Sequence, residues 1–298
     1  MLAACGGSQP PLAAPPSGGA EASWIAPGAS SEDLLYVGGK GGKVDILSYP
    51  GGMLVGKLTV NASGICTNAK TGDVYMTVYV TPPHPSKIFE YAHGGSAPIA
   101  TLNDYYHPGG CSVDPRTGNL AVANIASASR GGNLAIYHHA RGAPALWAIG
   151  SFYFYLFPGY DNHSNLFVDG VTEGNAFEFA ELPNGGTLVN VSLNQTVEYP
   201  GNVQWDGTYL TVADDKAHVI YQFTIAGSAG TLQGTTSLTG WSTPRDYETW
   251  IQGTTVVAPY GEDAVGLWNY PAGGTPTSIL KASFTGEPQS MAVSLAPH

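Results

Sequence analysis

Apolar and polar residues alternate along this chain in short runs, each of which ends in an aromatic residue and leads into a glycine-containing turn. One run is Val44-Asp45-Ile46-Leu47-Ser48-Tyr49, followed by Pro50-Gly51-Gly52. The aromatic residues that close the six copies are Tyr49, Tyr91, Tyr137, Phe179, Phe223 and Tyr270, at intervals of 42, 46, 42, 44 and 47 residues. Alternation predicts strands, and a period of about 44 residues is typical of the four-stranded blade of a β-propeller.

A second pattern, a strand followed by a Gly- or Asn-containing turn and another strand, comes before these runs. Its copies are residues 64–76, 110–122, 159–168, 203–212 and 249–257. These copies fit the two inner strands of a blade, and the run that ends in an aromatic residue fits the third. Residues 53–59, 99–102 and 278–284 fit outer strands.

The first repeat lacks an inner strand at its N-terminal end, because residues 34–37 already read as a second strand. The missing pattern recurs at residues 287–295, at the other end of the chain. We therefore predict an all-β protein, a six-bladed β-propeller of four-stranded blades whose first blade is closed by the C-terminal strand. Closure protects strand edges that would otherwise be open. The competing interpretation is an open array of β-sandwich sheets.

Three segments carry a resemblance to a known group of proteins. GCSVDPRTGNLAVAN at residues 110–124, IFEYAHGG at 88–95 and VQWDGTYLTVAD at 203–214 resemble six-bladed propeller lipoproteins of environmental bacteria, which are loosely related to NHL-repeat propellers. The resemblance covers residues 31–298. It implies the fold and an extracytoplasmic placement, and it implies no reaction, because propellers include both binding proteins and enzymes.

The N-terminal segment predicts where the protein is located. Leu2-Ala3-Ala4-Cys5 resembles a lipobox, with Cys5 as the lipidated residue; the alternative is a chance match, since no basic or apolar signal region precedes it. Only four residues come before Cys5, so we expect the signal segment to begin upstream. Residues 1–30 are predicted to be a lipobox remnant and a Pro/Gly/Ala/Ser tether, and residues 31–298 the propeller. We expect lipid anchoring to the bacterial envelope, or secretion.

Composition excludes some functions. Among 298 residues there are 22 acidic and 11 basic ones, giving a net charge of −11 with no basic stripe, which disfavours nucleic-acid binding. No run of about 18 apolar residues is present, so membrane contact is expected only through a lipid anchor. The loops that would meet on one propeller face, leading into the inner strands or joining second to third strands, hold most of the charge. Solvated loop ends are the competing interpretation.

The predicted ligand-binding residues on that face are Tyr106, His107, Arg130, Asp169, Asp214, His218, Arg245, Asp246 and Glu287. Arg130 and Arg245 suit an oxyanion, or pair with acids such as Asp246. Asp214, Asp215, His218 and Asp169 are candidate ligands for calcium or another divalent ion; an Asp-Asp pair is also a common hairpin feature. No cofactor is otherwise expected, and Cys66 and Cys111 are expected to be buried thiols, with a disulfide as the alternative.

Three functions remain open. We expect a non-catalytic module that binds a protein, glycan or small ligand on the channel face. The alternatives are an envelope scaffold that self-associates, and a metal-dependent hydrolase or lyase acting on a sugar lactone or glycan; no catalytic motif decides between binding and catalysis.

Overall fold

The computed structural model of the chain describes residues 22–126, 131–241, 248–282, 284 and 286–297. They form six antiparallel sheets arranged as the blades of one ring, with two short 3-10 helices, Ala29–Ser31 and His138–Ala140, as the only helical elements of the described part. The prediction of an all-β, six-bladed propeller is confirmed. No helix within the described ranges is long and apolar enough to cross a membrane.

The blades are numbered in chain order, and each is given from its inner to its outer strand. Blade 1 consists of Pro288–Ser294, Leu34–Gly39, Lys43–Ser48 and Leu54–Leu58. Blade 2 consists of Gly64–Thr67, Val74–Val78, Ser86–Tyr91 and Pro98–Asp104. Blade 3 consists of Pro108–Val113, Leu120–Ala126, Gly131–Tyr137 and Ala145–Trp147.

Blade 4 consists of Phe154–Tyr160, Leu166–Val171, Phe177–Leu182 and Val189–Asn190. Blade 5 consists of Pro200–Trp205, Leu210–Asp214, Val219–Ala226 and Ala229–Ser237, with Ser192–Leu193 added in parallel at its outer edge. Blade 6 consists of Trp250–Gln252, Thr255–Pro259, Val265–Asn269 and Ser278–Leu280.

The two ends of the chain complete blade 1. The inner strand Pro288–Ser294 pairs antiparallel with Leu34–Gly39, with Met291 opposite Val37 and Val293 opposite Leu35. Closure by the C-terminal strand is therefore confirmed. Residues that composition assigned to the tether also join this blade, because Trp24–Ile25 pairs with the outer strand and Ala29 is buried in the core.

The hydrophobic core of the described residues is divided into six clusters, one between each pair of neighbouring blades. The aromatic residues that close the repeats belong to them: Tyr91, Tyr137, Phe179, Phe223 and Tyr270 are buried in these clusters, and Tyr49 packs against one of them. The repeat period therefore reflects the need of every blade to bury an aromatic side chain against its neighbour.

Glycines on the inner strands let neighbouring blades approach closely at the centre of the ring. A β-carbon added to Gly64 of blade 2 would lie 2.5 Å from the carbonyl oxygen of Gly109 in blade 3. One added to Gly159 of blade 4 would lie 2.4 Å from the carbonyl oxygen of Val203 in blade 5. Real β-carbons do not tolerate such distances, so the absence of a side chain at these positions sets the width of the channel.

Cys66 and Cys111 form a disulfide between the inner strands of blades 2 and 3, with their Cα atoms 5.6 Å apart. The expectation of two buried thiols was therefore wrong. The two cysteines differ by one place in the repeat. This shift puts them on opposite faces of their own sheets, and those are the two faces that meet between neighbouring blades. Both cysteines belong to the core cluster of that interface.

Candidate functional site

Two predicted site residues, Asp169 in blade 4 and Asp214 in blade 5, stabilise the backbone around them. The carboxylate of Asp169 accepts hydrogen bonds from the N–H of Phe157 at 3.0 Å and of Gly201 at 3.2 Å, which joins the inner strands of these two blades. The carboxylate of Asp214 accepts from four backbone N–H groups, those of Glu198, Tyr199, Lys216 and Ala217. Both side chains are buried, so these hydrogen bonds compensate for the desolvation of their charge.

Asp169, Asp214, Asp215 and His218 lie near one another in blades 4 and 5. The N–H of His218 donates to the carbonyl oxygen of Asp214 at 2.9 Å, and Gly201 lies between Asp169 and Asp215. The carboxylate oxygens of Asp169 and Asp214 accept hydrogen bonds from backbone N–H groups. Within the described residues, no three His, Cys, Asp or Glu side chains are placed to hold a metal ion.

Tyr106 and His107 lie in the connection between blades 2 and 3. The N–H of Tyr106 donates to Asp104, and the ring of His107 stacks on Tyr79 with centroids 3.9 Å apart. Burial lowers the pKa of His107, so this histidine is a neutral, half-buried ring. Next to it the side chain of Tyr105 is 77% exposed. This part of the face therefore presents aromatic surface rather than charge.

Of the remaining predicted residues, the structure describes Glu287. Glu287 forms an ion pair with Lys40. Arg130, Arg245, Asp246 and the lipidation residue Cys5 lie outside the described residues. The described residues thus join Asp169, Asp214 and His218 in one place and leave Tyr106, His107 and Glu287 in other blades.

A central cavity lies at the other end of the channel, where the inner strands turn into the second strands. Its volume is about 250 Å³, and all six inner strands contribute to its wall. The residues that line it are Ile65, Cys66, Thr67, Asn68, Ala69, Cys111, Ser112, Val113, Pro115, Pro158, Tyr160, Asn202, Val203, Gln204, Trp205, Trp250, Gln252, Val293 and Leu295. We call this space the turn-side cavity.

The wall of the turn-side cavity is neutral. In the part of the chain that the structure describes, no Asp, Glu, Lys, Arg or His lines it, and its polar side chains are mainly amides and hydroxyls. Three aromatic rings, those of Tyr160, Trp205 and Trp250, belong to the same wall. Burial raises the pKa of the Tyr160 hydroxyl far above its usual range, so this group is also uncharged at any physiological pH.

Two side chains hold the wall in place. Gln204 of blade 5 donates its amide N–H to the carbonyl oxygen of Ile251 at 2.7 Å and accepts from the N–H of Ile251 at 2.8 Å. This paired hydrogen bond fixes blade 5 to blade 6. Trp250 packs against the core clusters on both sides of blade 1, so its indole extends along the inner strand of that blade.

Glu248 is a buried acid beside the inner strands of blades 1 and 2. Its carboxyl group accepts a hydrogen bond from the N–H of Ile65 in blade 2 at 3.0 Å, and the N–H of Met291 in blade 1 also donates to it. Burial raises the pKa of Glu248 to about 8, and these two backbone hydrogen bonds oppose the rise. Glu248 therefore carries a proton at neutral pH while it connects three blades at the point where the ring closes.

The charged loops do not indicate the turn-side cavity, because no described residue of its lining is charged. A signal was present in the inner strands themselves. Polar or aromatic residues stand two places apart there, as in Gln252 after Trp250 and Gln204 after Asn202, and residues two apart share a face of a strand. On the innermost strand of a propeller such a face meets the channel.

The fold and the cavity together define a closed six-bladed β-propeller with a small, neutral central site. No protein-family model and no curated protein matches the chain. Solved structures do match. The chain is similar to one in a crystal structure of a nidogen–laminin complex, with a TM-score of 0.67 and 14% identity over 89% of this chain and 98% of the other.

Two further structures share the fold. A protein of unknown function from Bacteroides caccae matches with a TM-score of 0.63 and 14% identity, over 89% of this chain and 99% of the other. A functionally unknown protein from Desulfotomaculum acetoxidans matches with a TM-score of 0.59 and 12% identity, over the same shares. At these identities the likeness shows the fold alone.

Proposed function

We propose that this protein is a non-catalytic binding module that holds its ligand in the turn-side cavity. The observation that carries the proposal is the composition of the wall, to which every blade contributes and whose described residues include no carboxylate, imidazole, amine or free thiol. General acid–base and nucleophilic catalysis need such groups within reach of the substrate. Binding pockets are usually lined by apolar and aromatic side chains together with a few polar groups that orient the ligand.

We propose further that the protein acts outside the cytoplasm, tethered through a lipid on Cys5 to a bacterial envelope or secreted. The disulfide between Cys66 and Cys111 supports this placement, because disulfides persist in oxidising compartments and are rare in the cytosol. The resemblance of residues 31–298 to bacterial propeller lipoproteins, loosely NHL-like, supports it as well. The partner is accordingly a protein, glycan or small ligand of the envelope or its surroundings.

A binding role also agrees with one of the solved structures that share this fold. One similar chain comes from a complex of nidogen with laminin. That likeness supports a binding role for this propeller. It does not identify the ligand, because function depends on the site rather than on the fold.

A thermal-shift screen of the purified protein against neutral sugars, short peptides and small anions tests the proposal, since a ligand that binds only the folded state raises the Tm. Asn202→Phe should fill the turn-side cavity and abolish the shift produced by any ligand found. Tyr105→Ala, on the opposite face, should leave it unchanged. A ligand that stabilises Asn202→Phe as much as the wild type, or loses its effect in Tyr105→Ala, would show that binding occurs elsewhere.

A further inference from the structure

The described residues that line the turn-side cavity include no charged side chain. An ion entering such a space would lose its hydration shell and find no opposite charge, and that loss is costly. The ligand therefore carries no net charge where it enters the wall.

Two amide side chains of the wall, those of Asn202 and Gln252, have unused hydrogen-bonding capacity. The side chain of Asn202, half-buried on the inner strand of blade 5, makes no hydrogen bond to any described residue. Gln252 of blade 6 accepts only a long hydrogen bond of 3.4 Å from the indole of Trp250. An amide offers both a donor and an acceptor, which is what a hydroxyl group requires of its partner.

Aromatic surface lies beside these amides. Trp205 follows Asn202 on the same inner strand, and Trp250 precedes Gln252 on its own. Both residues are half-buried and line the cavity. Indole faces pack well against the apolar C–H face of a sugar ring, whose hydroxyls then point to the sides where the amides lie.

We propose that the turn-side cavity binds an uncharged sugar, either free or at the end of a neutral glycan, with Asn202 and Gln252 bonding its hydroxyls and Trp205 and Trp250 stacking on its ring. This inference rests on the proposed function and names the ligand class of the same site. The volume of about 250 Å³ is just below the range of about 300–1,000 Å³ of ordinary ligand pockets, so the part of the ligand that enters the wall is small, such as the terminal ring of a glycan.

Isothermal titration of the whole chain with the neutral disaccharides cellobiose, maltose, lactose, mannobiose and N,N′-diacetylchitobiose tests the inference. We expect at least one of them to bind, with an affinity that does not change between about 0.05 and 0.5 M salt, because screening affects charged ligands only. Asn202→Ala should weaken binding about tenfold, the equivalent of about 1.4 kcal/mol, and Trp250→Phe should weaken it as well. Tyr105→Ala should bind as the wild type does.

Glucuronate and acetyl-trialanine-amide serve as a charged and a peptide comparison. Tighter binding of either of these than of every disaccharide, with loss of binding in Asn202→Phe, would overturn the sugar assignment while the cavity remained the binding site. The absence of heat with every disaccharide up to about 10 mM would also overturn it. A ligand unaffected by Asn202→Phe would overturn the proposed function itself. Melting curves of each variant establish that it folds.

Discussion

The disulfide between blades 2 and 3 allows a worked prediction of stability. Cys66 and Cys111 are separated by 45 residues, almost a whole blade, so the bond closes a long loop in the unfolded chain. The loop-entropy relation gives a stabilisation of about 4 kcal/mol for a loop of this length. In a protein of this size each kcal/mol changes the Tm by about 2–4 °C, so removal of the bond should lower the Tm by about 10 °C.

The perturbation is the double variant Cys66→Ala, Cys111→Ala. Alanine is chosen because both positions are buried and a serine hydroxyl would add the cost of an unpaired polar group. Thermal unfolding followed by circular dichroism, with and without reductant, is the assay. Reductant should lower the Tm of the wild type to about that of the double variant and leave the double variant unchanged.

Cys5→Ser is the matched control, because it removes the remaining cysteine and keeps the pair. Its Tm and its sensitivity to reductant should equal those of the wild type. A wild type whose Tm is insensitive to reductant, or in which mass spectrometry after alkylation finds free thiols at Cys66 and Cys111, would refute the assignment and remove one support for placement outside the cytoplasm.

Three further predictions concern the centre of the ring. Glu248 has a folded-state pKa of about 8 against 4.5 unfolded, so wild-type stability should fall between pH 4.5 and 8, by on the order of 4 kcal/mol, and Glu248→Gln should lose this dependence in urea titrations at several pH values. Gly64→Ala should cost about 1–3 kcal/mol through its clash with Gly109, whereas Gly150→Ala, in open space, should cost almost nothing; equal denaturation midpoints would contradict the close approach. Truncation after Glu287 should prevent cooperative unfolding, because blade 1 then lacks its inner strand; a sharp melt near the wild-type Tm would contradict ring closure.

The fold was predictable from the sequence because two features mark each repeat. These features are the alternation of apolar residues and one aromatic residue for each blade. Those features depend on local strand geometry and on burial between neighbours, which recur every 42 to 47 residues. The closing strand was predictable for the same reason, since residues 287–295 carry an inner-strand pattern without a partner at their own end of the chain.

The site was harder to predict because charge is not a reliable guide to it. Asp169 and Asp214 stood out in the sequence as carboxylates in a chain with few charges, but they serve as acceptors for backbone N–H groups of the inner strands. Whether a loop acid faces a ligand or its own backbone depends on contacts between blades that the sequence pattern does not specify. Neutral side chains such as Asn202 and Trp250 become recognisable only when the six inner strands are placed around one axis.

Hydrogen–deuterium exchange of the whole chain, with and without the ligand that most raises its Tm, tests directly which end of the channel is used. Binding in the turn-side cavity predicts slower exchange at residues 65–69 and 202–205, which lie on opposite parts of its wall. Slower exchange confined to residues 104–107 and 214–218, on the face that carries the charged loops, would contradict the account.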